Sequence, residues 1–226
     1  MNTREFELLV FDWDGTLMDS EARIVACLEQ AVRTVGAEPR ARQALRNVIG
    51  LGLTQAIQRL YPQGDEAFIA AFTAAYREYF LFQDRTPSEL FAGSRRVVEG
   101  LAAQGYLLAV ATGKSRRGLE RELAETGLEP LFHVTRCADE TFSKPHPRML
   151  EEIMTDLDTA PARTLMIGDS EYDMMMANNA GTASLAVSYG VHDLDRLMQH
   201  GPKGHVNAID ELPAWLRARA ERVSPA

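Results

Sequence analysis

Cysteine is nearly absent from this chain, with only Cys27 and Cys137 among 226 residues. They stand in unrelated contexts without the paired spacing of a metal site. Neither a disulfide framework nor a zinc cluster organises the fold, and both read as reduced thiols of a cytoplasmic protein. Long apolar runs are missing too. No stretch approaches the roughly 20 residues that a bilayer-spanning helix needs, and the opening "MNTREFE" lacks the basic-then-apolar pattern of a signal peptide. Basic charge is in deficit, 24 Lys and Arg against 32 Asp and Glu, for a formal net charge of −8. This excess of acid argues against nucleic acid or an anionic membrane as the main partner, although an anionic small molecule can bind where the site itself supplies cations. There is no repeat at a solenoid period and no low-complexity tract. What is present is an ordinary globular composition, 46% hydrophobic and 25% charged. The chain is long for one compact domain, so a domain with an insertion is expected. Monomer and homodimer are equally open.

Two rhythms divide the chain. Phe6 to Phe11 has strand character, and then no convincing strand follows until about residue 86. "SEARIVACLEQAVRTVG" reads as a helix led by Ser20 as its cap, with Ile24, Val25, Leu28, Val32 and Val35 on one face and Gly36 at its end. "DEAFIAAFTAAYREYFLF" reads as a second helix, its Phe68, Phe72, Tyr76 and Tyr79 spaced as a core stripe. From Ser94 onward helices alternate with short apolar strands: "YLLAVATG", a strand near Phe132–Thr135, "TLMIGD" and "ASLAVS". The helices between them are Ser94–Gln104, "SRRGLERELAETG", Pro147–Leu157, Tyr172–Ala180 and Leu212–Arg222. Alternation of this kind implies a parallel sheet covered on both faces. The expected architecture is α/β, a Rossmann-like parallel core formed by residues 1–17 and 88–226, with an α-helical cap inserted as residues 18–87.

Ligands of open parallel sheets sit beyond the carboxyl ends of the strands. The first strand ends in Asp12 and Asp14, the second in Thr112, Gly113 and Lys114, and the fourth in Asp169 and Ser170, with Asp173 close behind. Lys144, in "SKPHP", precedes the helix leading into that fourth strand. Taken singly, "DG" is a turn pair, Thr112-Gly113 a turn, Lys144 a loop lysine and Asp169 a helix cap. Taken together, these acids, hydroxyls, backbone N–H groups and lysines converge on one rim.

In this order and spacing, "DWDGTLMDS", "ATGK", "KPHP" and "IGDSEYD" resemble the four motifs of the haloacid dehalogenase-like (HAD) hydrolase superfamily. The likeness covers essentially the whole chain, including a helical cap after the first motif as in the phosphoglycolate phosphatase-like branch. The resemblance implies a phosphatase that hydrolyses a small phosphate monoester through an aspartyl-phosphate. Asp12 would be the nucleophile and Asp14 the proton carrier, which requires Asp14 to hold a proton well above the range of a free aspartate. Thr112, the Gly113 N–H and Lys144 would hold the phosphoryl oxygens. Mg²⁺ would be the cofactor, on the Asp12 carboxylate, the Asp14 backbone carbonyl and Asp169, with Asp173 close in. Asp14 also separates chemistries, because dehalogenases of the superfamily usually lack an acid there. Trp13 is bulkier than usual and "TGK" replaces the commoner Thr-Asn pair; Trp13 and Gly113 would then act through their backbone N–H groups.

The insertion would close over the rim, with Gly50–Leu53 ("GLGL") and Arg46 as candidates for touching substrate, although Arg46 reads more readily as a solvated helix face. His133 and His146 read as structural or solvated, Met174, Met175 and Met176 as packing, and Arg116 and Arg117 as a solvated helix start. Rival readings are a phosphotransferase such as a sugar-phosphate mutase, a pyrophosphatase, and a non-catalytic binder of phosphorylated ligands. A receiver-type phosphoacceptor would place its phosphate on Asp139, and a helical cap has no role in that scheme.

Overall fold

A run of four apolar residues buried on both faces, Leu8–Phe11, forms β1, as expected of a central parallel strand. The structure is a computed structural model describing residues 4–223. After β1 come a short β2 (Met18–Asp19) and four helices: α1 (Glu21–Thr34), α2 (Arg42–Arg46), α3 (Leu53–Leu60) and α4 (Glu66–Glu78). The chain returns through β3 (Glu89–Leu90) and continues with α5 (Ser94–Ala103), β4 (Leu107–Thr112), α6 (Arg116–Thr126) and β5 (Val134–Cys137). Then follow α7 (Arg148–Asp156), β6 (Thr164–Gly168), α8 (Glu171–Asn179), β7 (Ala183–Val187), α9 (Leu194–Met198), β8 (His205–Val206) and α10 (Leu212–Val223).

The six-stranded sheet has the order β5-β4-β1-β6-β7-β8, all parallel. Val10 lies level with Ala109 on one side and Met166 on the other, so β1, β4 and β6 end together. One face packs Leu9, Phe11, Val110 and Ile167 against α5, α6 and α10, and the other packs Leu8, Val10 and Met166 against Met149 and Ile153 of α7 and Met176 of α8. The helices between β2 and β3 have an apolar cluster of their own, with Val25, Leu28, Leu45, Ile57 and Phe72 at its centre, joined by Val191 from beyond β7.

Both chain crossings into this helical segment are tied together. Met18 pairs with Leu90 and Asp19 with Glu89 in an antiparallel two-stranded ribbon. Beside it, Arg23 Nε meets Asp84 Oδ2 at 3.0 Å with both groups buried, and the same guanidinium donates to the Phe80 carbonyl.

Several expectations shift. β1 starts at Leu8 rather than Phe6, and β5 lies at 134–137 rather than 132–135. α4 ends at Glu78, and Tyr79–Gln83 winds on as a π-helical turn rather than as its continuation. Ser20 makes no side-chain cap to α1; its hydroxyl is taken by Asp14 Oδ1 at 2.6 Å. The β2–β3 ribbon, α9 and β8 were not foreseen, because elements of two to five residues carry too little periodicity to read. Met174 and Met176 are buried packing, as expected, and Cys27 and Cys137 are free, buried thiols.

The fully buried central strand makes a clear stability prediction. Leu9→Ala should cost roughly 2–5 kcal/mol in urea unfolding, through lost transfer energy and the cavity left behind. Substitution of the exposed Met198 by Ala should stay within about 0.5 kcal/mol.

Candidate active site

Because β1, β4 and β6 end in register, whatever follows them meets at one edge. Asp12 continues β1, its backbone N–H held by the Ile167 carbonyl at 2.9 Å. Asp169 and Asp173 come from the end of β6 and the first turn of α8. Each of the three offers a carboxylate oxygen within 4.8 Å of the others, and all three are buried. The cradle is cut close by glycine. At Gly15, where φ is +83°, a Cβ would run into the Asp169 carboxylate, and at Gly190 it would do the same.

One cation sits in the cluster. Lys144 Nζ lies 2.8 Å from Asp12 Oδ1 and 2.6 Å from Asp173 Oδ1, with its side chain fully enclosed. Burial alone would pull the lysine pKa down, but the two aspartates outweigh it and the net shift is upward. Burial pushes the Asp12 carboxyl well above its ordinary range against the pull of Lys144, with Asp173 and Asp169 adding to the rise. Asp169 is pushed up to about 7 by burial and by Asp173. Its oxygens accept from the Thr16 hydroxyl at 2.9 Å and the Val191 N–H at 2.8 Å. Ser170 and Asp173 cap α8 reciprocally, which fixes the Asp173 carboxylate at the helix start.

Asp12 Oδ1 also takes the Trp13 N–H at 2.6 Å, while Asp12 Oδ2 is buried with no hydrogen-bond partner among the described residues. An unpartnered carboxylate oxygen beside two more carboxylates, with one lysine for three acids, fits a divalent cation. Hard oxygen donors suit Mg²⁺ or Ca²⁺ better than the softer transition metals.

Asp14 has a different environment. Besides Ser20, its Oδ1 faces Lys114 Nζ at 3.0 Å, and Lys114 also reaches Glu122 Oε1 at 3.2 Å. Glu122, from α6, accepts the Trp13 indole N–H at 2.5 Å. Burial, the largest influence, raises the Glu122 pKa; Lys114 opposes it. Lys114 is raised despite burial, because Asp14 and Glu122 hold its proton. Lys114, Glu122 and the Trp13 side chain were not foreseen as site residues. The legible signal was Glu122, an acid on the same buried face of α6 as Leu119 and Leu123.

The expected residues fall into two layers. Asp12, Asp14, Thr112 and Gly113 line a cleft of about 330 Å³ between the sheet edge and the helical segment. Asp169, Asp173 and Lys144 lie behind Asp12, outside that lining. Thr112 is buried, its hydroxyl accepting the Lys114 N–H at 3.2 Å. Gly50, Leu51, Gly52 and Leu53 do reach the cleft. A Cβ on Gly113 would stand only 2.5 Å from the Leu51 carbonyl oxygen, and Gly52 N–H donates to Ser143 Oγ at 2.7 Å. Arg46 does not reach the cleft. It bonds Glu21 at 2.8 Å and the Gly190 carbonyl at 2.9 Å, so it ties the helical segment to the core. Arg116 is not a solvated helix start either, since Glu140 and Thr135 hold its guanidinium. His133 accepts the Leu108 N–H and His146 stacks on Phe142, both structural. Asp139 accepts the Arg116 N–H.

A second tie runs through the Asn47 carbonyl, which receives the Tyr172 hydroxyl at 2.8 Å and lies 3.3 Å from His192 Nε2. His192 Nδ1 accepts the Glu171 N–H, so the neutral ring has one tautomer that serves both partners.

Residues 9–187 match the family model described as haloacid dehalogenase-like hydrolase. The protein named "Probable phosphatase IndB" of Dickeya dadantii is 37% identical over 214 residues, covering 91% of each chain. A phosphoglycolate phosphatase of Vibrio vulnificus is 29% identical over 222 residues, covering 94% of this chain and 96% of its own. The crystal structure of a predicted phosphatase from Clostridium acetobutylicum superposes with a TM-score of 0.85 at 25% identity, covering 94% and 99%.

His192 generates a pH prediction. Burial, followed by Arg196, holds its pKa down to about 4 from the ordinary 6.5. Below about 6.5 the unfolded chain takes up the proton and the folded one does not until about 4, so this contribution is lost as pH falls through that window. The urea midpoint should therefore drop less between pH 7 and pH 5 in His192→Gln than in the wild type. Identical slopes would show that the ring titrates normally in the fold.

Proposed function

Since this chain belongs to the haloacid dehalogenase-like hydrolase family, we propose that it is a Mg²⁺-dependent phosphatase of small phosphate monoesters, acting in the cytoplasm through an aspartyl-phosphate on Asp12. The observation that carries the reading is the buried group of Asp12, Asp169 and Asp173 around Lys144, with Asp12 Oδ2 left unbonded beside the cleft. Residues 18–87 serve as the cap over that cleft, and residues 1–17 and 88–226 as the catalytic core.

Asp12 Oδ2 attacks phosphorus in line, and the ester P–O bond breaks on the opposite side. Lys144 and the Trp13 N–H hold Asp12 Oδ1, which aims the other oxygen. Asp14 gives its proton to the departing oxygen, then accepts one from the water that attacks the aspartyl-phosphate; inorganic phosphate leaves and the Asp12 carboxylate is restored. Ser20 and Lys114 fix Asp14 through its Oδ1, which leaves Oδ2 for the proton transfer. Thr112, the Gly113 N–H and Lys144 receive phosphoryl oxygens as charge spreads over them. Asp12, Asp169, Asp173 and the Asp14 carbonyl would hold the cation, which when bound neutralises phosphoryl charge. The helical cap keeps bulk water off the acyl phosphate.

Lys144 offsets only part of the cluster's charge, so activity should depend on added metal. Mg²⁺ should support phosphate release from p-nitrophenyl phosphate, and a chelator should abolish it. Asp12→Asn should lower kcat by roughly a thousandfold or more; equal rates for variant and wild type would refute the assignment of the nucleophile. Product analysis checks the reaction class, since an isomeric phosphate in place of free phosphate would mean a mutase.

A further inference from the structure

The cleft is larger and more apolar than a two-carbon acid needs. Its volume, about 330 Å³, lies in the range of pockets that enclose drug-sized ligands, whose walls are mostly apolar with a few placed polar groups. The core contributes Asp12, Asp14 and Thr112 to the lining, and Gln55, Thr73 and Ser115 are polar members of it too. The helical segment contributes the aliphatic side chains of Ile24 of α1 and of Leu51 and Leu53 at the start of α3, each half-exposed, alongside Thr54, Gln55, Thr73 and Arg77. Tyr76 and Phe80 add a stacked pair, ring centroids 5.7 Å apart and planes at 16°.

Two of the candidate cations for a substrate carboxylate are already engaged. Arg46, the one cap cation the sequence offered for this task, is turned to Glu21 and Gly190. Lys114 is shared between Asp14 and Glu122. The remaining cations of the lining, Arg77 and Arg117, are exposed. A carboxylate set directly against Ile24, Leu51 and Leu53 would carry a desolvation cost.

We infer that the preferred substrate is a phosphate monoester of a bulky, largely apolar, ring-bearing alcohol, and not a two-carbon phospho-acid. This rests on the phosphatase reading and deepens it. The ring occupies the space between Leu53 and the Tyr76–Phe80 pair, where aromatic side chains favour offset or edge contacts. The phosphoryl group stays at Asp12, so the chemistry is the same for any ester that enters.

The test compares 2-phenylethyl phosphate with ethyl phosphate, whose leaving alcohols are of closely similar acidity, alongside phosphoglycolate and pyrophosphate, all with Mg²⁺. The expected result is a kcat/KM for 2-phenylethyl phosphate about ten- to hundredfold above that for ethyl phosphate, as burial of one phenyl ring implies. Leu53→Gln, at a half-exposed position, should narrow that ratio about fivefold or more. Equal values for the two esters, or a preference for phosphoglycolate or pyrophosphate, would overturn the inference while leaving the phosphatase reading standing. Release of phosphate from none of the four would overturn both.

Discussion

Three carboxylates with oxygens within 4.8 Å of one another are the constraint on which this structure turns. At an effective dielectric of about 20, two unit charges at that separation repel by roughly 3 kcal/mol, so three ionised pairs amount to on the order of 10 kcal/mol. That is comparable with the whole stability of an ordinary domain. The fold can hold the cluster only by leaving it partly protonated or by supplying positive charge, and the upward shifts of Asp12 and Asp169 alongside the buried Lys144 show both responses at once. A site balanced in this way is poised for a cation and for a dianionic phosphoryl group that brings its own counter-ion.

The surrounding architecture follows from the need to fix those charges. Register between β1, β4 and β6 brings Asp12, and one residue further along their strands Thr112 and Asp169, to one edge. Glycine at positions 15 and 190 lets two backbones approach the Asp169 carboxylate where any Cβ would collide. The helical segment is seated through backbone and polar contacts, Gly52 on Ser143, Arg46 on Gly190 and Asn47 on Tyr172 and His192. Such contacts give a definite closed position while leaving the segment its own apolar cluster, separate from that of the sheet. Both chain crossings lie in the β2–β3 ribbon with the Arg23–Asp84 pair beside it. A unit joined at one edge and held elsewhere by hydrogen bonds is suited to opening and closing.

The sheet, its helices and the residues at the strand ends were legible in the sequence because each is announced by a local pattern: apolar runs, helical spacing, and acids directly after strands. Side-chain pairings that depend on how turns and helices place the groups were not. Lys114 reads only as the residue that follows Thr112 and Gly113 at a strand end until α6 places Glu122 beside it. Arg46 reads as a cap cation free for substrate until the loop after β7 offers it the Gly190 carbonyl. Ser20 reads as a helix cap, and only the turn through Gly15 shows that Asp14 claims its hydroxyl. In each case the sequence named the donor, and the fold decided between two acceptors.

Trp13 shows how the two aspartates are kept in distinct roles while standing two residues apart. Its backbone N–H holds Asp12 Oδ1, and its indole N–H holds Glu122, which shares Lys114 with Asp14. The expectation that Trp13 serves only through its backbone therefore misses half of its function. Each aspartate has its own lysine, Lys144 for Asp12 and Lys114 for Asp14, and one buried tryptophan connects the two arrangements. The charged machinery is thus drawn from strand ends and helix starts of the core, whereas the cleft's apolar wall comes from residues 24–81. The aliphatic part of that wall, the side chains of Ile24, Leu51 and Leu53, makes no ion pair or hydrogen bond with the charged groups, whereas the Phe80 ring centroid lies 5.0 Å from Lys114 Nζ. Substitutions at the aliphatic positions therefore reshape the cleft with the least disturbance to the charge balance around Asp12 and Asp14.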